Sequence, residues 1–445
     1  MPIRDLFVTI AVFISLPYIL AKPYFGIYVW SWLGYMNPHR LSWGFAYDFP
    51  FAYIVALTTI VGMMFSREPK RLPRTPETVL LALFISWMLT TSFFAFYQDL
   101  AWLQMEKVAK IQVMIFLTLI LINTRERLNT LIWIIVISLG LYGVKGGIFT
   151  IVHGGVYHVM GPYGTFIGGN NEIALALIMT IPLMRYLQLN TEKAWIRHSL
   201  TVAMLLSSMA IIGSQSRGAL LGAAAMGLFL WVKSRNKIFT SIMMVVAVVM
   251  VLAIMPREWY ERMNTIKTYE QDASSRGRIN AWWFAYNVAK VRVTGGGFET
   301  FKGDLFEIYA PDPDDVHDAH SIYFEVLGEH GFIGLTLFLL LAFATWRTSS
   351  WVIGKTKHDP GKKYAADLAA MAQVSMLGYA VAGAFLGLAH FDLYYHLICI
   401  IVLNKVLLLN EEAPVEAPQG EKTKLRNMVF KPRKPQTTTG LLPKK

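Results

Sequence analysis

Ile238-Phe-Thr-Ser-Ile-Met-Met-Val-Val-Ala-Val-Val-Met-Val-Leu-Ala-Ile-Met255 carries no charge along its whole length. As a helix this run reaches about 27 Å, close to the ~30 Å hydrocarbon core of a bilayer. Reading outward for similar runs gives twelve expected spans: 5–21, 49–65, 77–96, 107–123, 128–150, 171–187, 197–212, 217–232, 238–255, 321–346, 365–388 and 391–410. The whole chain agrees: of its 445 residues 55% are hydrophobic and 16% charged, with mean hydropathy +0.43. A soluble domain carries about 25% charged residues, so a cytosolic enzyme, a disordered chain and a secreted scaffold are excluded. The one cysteine, Cys399, permits neither an internal disulfide nor a cysteine metal site. The fold class is an all-α polytopic membrane protein of about twelve transmembrane helices.

Charge sets the expected orientation. With both termini in the cytoplasm, inner segments hold 18 Lys or Arg: Arg4, Arg67, Lys70, Arg71, Arg74, Arg125, Arg127, Arg185, Lys193, Arg197, Lys233, Arg235, Lys237, Arg347, Lys355, Lys357, Lys362 and Lys363. Outer segments hold Lys22, Arg40, Lys107 and Arg217. The positive-inside rule favours this arrangement. An even span count requires the aromatic stretch Tyr24–Tyr35, which ends at Asn37-Pro38, to be an outer interfacial or re-entrant piece. No small-residue cleavage site follows Ala21, so the first span is expected to stay. The chain then divides into nine spans (1–255), a large outer loop with interfacial helices (256–320), three spans (321–410) and a disordered basic cytoplasmic tail (411–445). Inner loops and tail account for the net charge of +12, so membrane lipids rather than nucleic acid are the expected partners of the cations.

Candidate chemistry gathers at the outer edge. In the long loop, Arg278 to Tyr286 (RINAWWFAY) reads as an amphipathic interfacial helix, and Thr294-Gly-Gly-Gly-Phe298 as a turn. Asp312, Asp314, Asp315, His317, Asp318 and His320 follow. The cluster is open to three readings: a metal site, disfavoured by its proline-broken spacing; a solvated acidic turn; or, for His320 beside Ser321, a neutral imidazole acting as a base. Arg217 interrupts two apolar runs on the outer side, against the charge trend. It is either a lipid-phosphate anchor or a forked clamp for an anionic ligand. Arg278 is a second candidate and Arg276 a weaker one. Lys107, Lys110 and Lys145 stand near outer span ends, as interface anchors or parts of an anion-attracting basin. Asn171 opens the sixth span, as a cap or beside an anion at the helix N-terminus. No ATP-binding loop or dinucleotide fingerprint is present.

The stretch HSIYFEVLGEHGFIG (His320–Gly334) resembles the His-[Asn/Ser/Gln]-x9-Gly-x-x-Gly motif of bacterial O-antigen ligases. Ser216-Arg217-Gly218-Ala219, Arg278-x-x-x-Trp282, Gly295-x-Gly297 and Asn171-x-x-Ala174 resemble further points of the same superfamily, over residues 160–400. That superfamily also includes O-antigen polymerases and protein O-oligosaccharyltransferases, and Asp318-Ala319-His320 looks like O-glycosylation ligases. The resemblance implies a GT-C-like glycosyltransferase of the inner membrane, working at its periplasmic face in lipopolysaccharide biosynthesis. The implied donor is an undecaprenyl-diphosphate-linked glycan and the implied acceptor a lipid A–core sugar hydroxyl, with neither ATP nor a metal needed. On that reading His320 is the base and Arg217 and Arg278 hold the diphosphate. Arg276, Asn171, Ser321, His317, Trp282, Lys107 and Lys110 are supporting candidates, with Trp282 either stacking on sugars or anchoring at the interface. The competing class is a transporter, for which polar groups near the bilayer midplane and inverted repeats would be expected.

Overall fold

A computed structural model describes residues 3–234, 236–264 and 273–412; Arg235 and the expected tail from residue 413 lie outside the described residues. Among the described residues there are helices, turns and no strand. The first ten helices are α1 (Ile3–Ala21), α2 (Tyr24–Met36), α3 (Phe51–Phe65), α4 (Pro76–Phe93), α5 (Gln98–Leu121), α6 (Arg125–Val152), α7 (Asn170–Leu189), α8 (Ala194–Gly213), α9 (Arg217–Lys233) and α10 (Lys237–Ile254). The loop segment holds α11 (Arg257–Asn264), α12 (Ala273–Val291) and α13 (Gly303–Tyr309). Three long helices close the order: α14 (Ile322–Thr356), α15 (Lys363–Gly383) and α16 (Asp392–Glu412). Residues Met1–Leu407 form one compact unit; from Leu408 a second unit begins.

Nine of the described helices are long and apolar enough to cross a membrane. The chain is therefore a polytopic membrane protein. The expected spans in α3 and α9 fall short by length, and α5 carries Glu106, Lys107 and Lys110 in its middle. The uncharged stretch quoted above forms α10, whose Ile242, Val245, Val248 and Leu252 are exposed. Water would not tolerate such a face, and lipid does. At the centre, α7 and α15 bury nearly every side chain, which is why they are apolar all round.

The aromatic stretch at 24–35 departs from expectation. It forms α2, packed inside the bundle with Ile27, Leu33 and Tyr35 buried. Two of its hydroxyls find internal partners: that of Tyr35 bonds His396 Nδ1 at 2.7 Å, and that of Tyr28 donates to the Arg127 carbonyl at 3.1 Å. Lys22-Pro23 reverses the chain after α1, so α1, α2 and α3 alternate in direction. Asp5 accepts from the Ala46 N–H at 3.0 Å and Arg4 donates to the Leu41 carbonyl at 3.0 Å. Tyr35, shortly before these residues, packs on Phe391 at the start of α16. The start of α1 thus lies at the bundle end that carries the 256–320 segment, not at the opposite end as the sequence suggested. Charge could not reveal this: exchanging Arg4 for Lys22 leaves the inner and outer totals unchanged.

The loop segment has its own apolar core. Ala281, Phe284, Val288, Phe301, Phe306 and Ala319 are buried together, so one face of α12 rests on protein rather than lying flat on lipid, while Trp283 stays exposed. The first arm of α14 packs with α12; beyond a break at Gly331 (φ 68°) the helix continues for about 37 Å, enough to cross. The break frees three carbonyls, which take other donors: Gly296 N–H to Gly328 and Gly297 N–H to Glu329, both at 2.8 Å, and the Trp87 indole to His330 at 2.8 Å. Exposed backbone is costly near lipid, and here none of the three is left open. A Cβ at Gly331 would stand 2.4 Å from the Val293 carbonyl oxygen. Gly331→Ala is expected to cost about 2 kcal/mol or more through the positive φ and this clash. Thermal unfolding in detergent checks it; an unchanged midpoint would show that the break is not required.

Candidate functional site

His320 stands where the loop enters α14. Its φ is +42°, a left-handed conformation that costs a non-glycine residue about 1–3 kcal/mol and persists only where neighbours impose it. One neighbour is Trp282, whose indole N–H donates to the Ala319 carbonyl at 2.8 Å. Phe324 covers the Trp282 ring, stacked at 4.8 Å and 6°. Trp282 thereby fixes the residue before His320. One ring face and the N–H of Trp282 are thus engaged within the protein. Ser321 is the N-cap residue of α14, yet its hydroxyl makes no capping bond and is buried.

Burial lowers the pKa of His320, the positive charge of Arg278 lowers it further, and Asp318 opposes them. A neutral imidazole is thus favoured, which is the form that accepts a proton. Arg278 is half-buried on α12, and Arg276 points outward and is exposed. Between them Gly277 faces the His317 ring, which a Cβ would meet at 2.6 Å. His317 Nδ1 is 2.8 Å from Asp315 Oδ1, so the rival histidine is tied to the acidic run. That run is held by Asn280, whose amide donates to the carbonyls of Asp312 (2.7 Å) and Asp315 (2.9 Å) and accepts from the Asp312 N–H (2.9 Å). Asp312 and Asp314 are exposed, the behaviour of a solvated turn.

Arg217 begins α9 at the same bundle end. The turn before it is buried and polar: Ser216 caps α9 through the Ala219 N–H at 3.2 Å, and Gln215 reaches the Gly155 carbonyl at 2.9 Å. Gly218 lies against Phe385, where a Cβ would be 2.7 Å from the Phe385 Cβ. Phe385 opens the connection from α15 to α16. Two residues on, the position of a Cβ on Gly387 is 3.4 Å from Glu325 Oε2 and 3.8 Å from the His320 Cα. The connection 384–391 therefore joins the Arg217 turn to His320. Glu325, one turn into α14, accepts from the Ala389 N–H at 3.2 Å. Sequence reading missed Glu325 because its partner is distant in the chain; its position inside the motif at i+5 from His320 was the available signal.

Asn171 sits at this end but does not cap α7, whose N-cap residue is Gly169. The adjacent Asn170 amide bridges to the Ser214 carbonyl at 2.8 Å, supporting the Arg217 turn. Lys110 pairs with Glu106 at 2.5 Å. Lys107 lines a separate cavity of about 430 Å³ with His39, Arg40 and Asp392. No contact joins either lysine to His320 among those described.

The geometry thus gathers His320, Arg278, Glu325 and the Arg217 turn around one short connection. Residues 202–339 match the family model described as O-Antigen ligase; every one of these except the connection itself falls inside the match. Residues 3–193 match a second model, described as a family of unknown function (DUF5935). No curated protein matches the chain. The first of these matches, with the all-helical membrane fold that carries it, makes residues 202–339 similar to the O-antigen ligase family and supports a place for the chain in the ligase/polymerase superfamily.

Proposed function

We propose that the protein is an O-antigen ligase. It transfers a glycan en bloc from undecaprenyl diphosphate to a sugar hydroxyl of the lipid A–core, at the periplasmic face of the inner membrane. The observation that carries this reading is His320, held in a strained backbone by Trp282 and kept neutral by burial and Arg278. A glycosyl diphosphate already has a good leaving group. The site must position the acceptor, take its proton and stabilise charge on the departing diphosphate. The acceptor oxygen bonds to the anomeric carbon as the carbon–diphosphate bond breaks on the opposite face, so the centre inverts. The hydroxyl proton passes to His320. The guanidinium groups of Arg217 and Arg278 receive the diphosphate oxygens, each offering a fixed fork of donors. No step calls on ATP or on a metal.

A polymerase or a protein O-oligosaccharyltransferase would share this donor chemistry and differ in acceptor. The deciding experiment offers the purified protein a lipid-linked glycan with lipid A–core, a second glycan-lipid or a pilin-like protein. Product on lipid A–core alone supports the ligase; product only on either of the others overturns it in favour of that relative.

The positive-inside rule puts the bundle end with the 256–320 segment outside. With α2 crossing, the start of α1 lies there too, giving thirteen crossings instead of twelve. In a background where the buried Cys399 is the native thiol, Asp314→Cys and Ile3→Cys are expected to react with an impermeant maleimide from the periplasm, and Lys357→Cys is not. A labelled Asp314→Cys with a silent Ile3→Cys would restore the twelve-span arrangement. The fully reversed pattern would remove the site from the periplasm.

A further inference from the structure

Beneath the site, at the break in α14, lies a group that the proposed transfer does not use. Glu329, His330 and His390 are all buried, at 7%, 0% and 4% exposure. Glu329 Oε2 is 3.2 Å from His390 Nε2 and 3.8 Å from His330 Nε2. The three candidate ligand atoms all lie within 4.8 Å of one another.

The hydrogen positions can be argued from partners. The Thr91 hydroxyl donates to the Met88 carbonyl at 2.9 Å, so its one hydrogen is spent. His330 Nδ1, 2.7 Å from Thr91 Oγ1, must then be the donor in that pair. This tautomer leaves His330 Nε2 with a bare lone pair, and that atom is buried without a hydrogen-bond partner. It points toward Glu329 Oε2, another acceptor. Glu329 Oε1 is separately fixed by the Glu299 N–H at 3.0 Å, from a residue itself at φ +59°. Two lone pairs facing each other in a buried site repel, and a proton or a metal ion between them relieves the repulsion.

We propose that Glu329, His330 and His390 form a binding site for a divalent transition-metal ion of the zinc type. Two imidazoles and one carboxylate are a donor set suited to such an ion, with a fourth position for water. Magnesium and calcium require more oxygen ligands than the site offers. At metal–ligand distances of about 2.0–2.2 Å, tetrahedral ligands stand roughly 3.3 Å apart, and 3.2 and 3.8 Å bracket that value. Thr91 orients His330 as an outer-shell partner, and Phe298 packs edge-on against both imidazoles, at 4.6 and 5.0 Å.

The ion's role is structural. It joins the arm of α14 that begins after His320 to the connection that carries Gly387. Both segments that shape the candidate site are thereby pinned at their inner ends. The site is distinct from the acidic run at 312–318, and the proposal does not depend on which acceptor the enzyme uses.

The test is metal content of protein purified without a metal-affinity step. About one zinc-type ion per chain is expected, with Glu329→Gln and His390→Gln each losing it and His317→Ala keeping it. Removing the ion with a strong chelator should lower the thermal midpoint of the native chain, and added zinc should restore it. Should the variants fail to fold, cobalt loading of the native chain decides: visible d–d bands of a four-coordinate nitrogen–oxygen site support the assignment. A native chain that holds no ion, shows no thermal shift with zinc, manganese, cobalt or nickel and gives no cobalt spectrum overturns it. So does an ion retained in both variants.

Discussion

His320→Ala is expected to lose about 10²–10⁴-fold in transfer rate, the usual worth of a positioned general base, while still binding the lipid-diphosphate donor. Donor binding survives because the diphosphate is assigned to Arg217 and Arg278. The neighbouring His317→Ala should lose under about tenfold, since that ring is occupied by Asp315 at 2.8 Å. The pH dependence carries the same assignment. Neutral His320 is the active form, so the rate falls as pH drops through its pKa. Burial and then Arg278 hold that pKa below the ordinary value, so the acid limb should lie below about 6.5. Arg278→Gln removes a positive charge from beside the imidazole and should move the limb upward on the residual rate. Wild-type rates in His320→Ala would eliminate the base. Loss of donor binding together with rate would make His320 part of the diphosphate site.

Arg217→Ala and Arg278→Ala should each lower transfer by about 10²–10³-fold, the scale for removing one preorganised donor to a developing charge. Lysine is the informative replacement. It keeps the charge and loses the planar fork, so Arg→Lys at either position should remain severely impaired. Binding of the lipid-diphosphate donor should weaken in step with the rate. Near-normal turnover with lysine at both positions would leave these residues as lipid-phosphate anchors.

Much of the fold was legible because bilayer crossing is written locally. The uncharged run at 238–255 needs only its own length to be read, and α8 and α9 break at Gly213 to Arg217 where the sequence inserts polar residues. α2 was not legible: its 13 residues reach about 20 Å, short of a bilayer, and its aromatic polarity looked interfacial until Tyr35 met His396 across the bundle. The motif glycines could be located but not explained. Gly331 is needed because its φ opens α14 and a turn 34 residues earlier supplies the missing donors. The packing of Trp282 was not legible either, since only the fold shows its N–H spent on Ala319. Asn280, Glu325 and His390 act through partners 32 to 64 residues away, beyond the reach of any spacing rule.

The central claim is that a bond is broken and remade at the outer end of this bundle, and the release of undecaprenyl diphosphate measures it most directly. Purified protein in liposomes receives a lipid-linked glycan with and without lipid A–core, and free undecaprenyl diphosphate is quantified beside glycosylated acceptor. The account predicts acceptor-dependent release, one lipid diphosphate per glycan transferred, abolished by Arg278→Ala and strongly slowed by His320→Ala. Movement of intact donor across the bilayer with no lipid diphosphate released would contradict it and leave a transporter in its place.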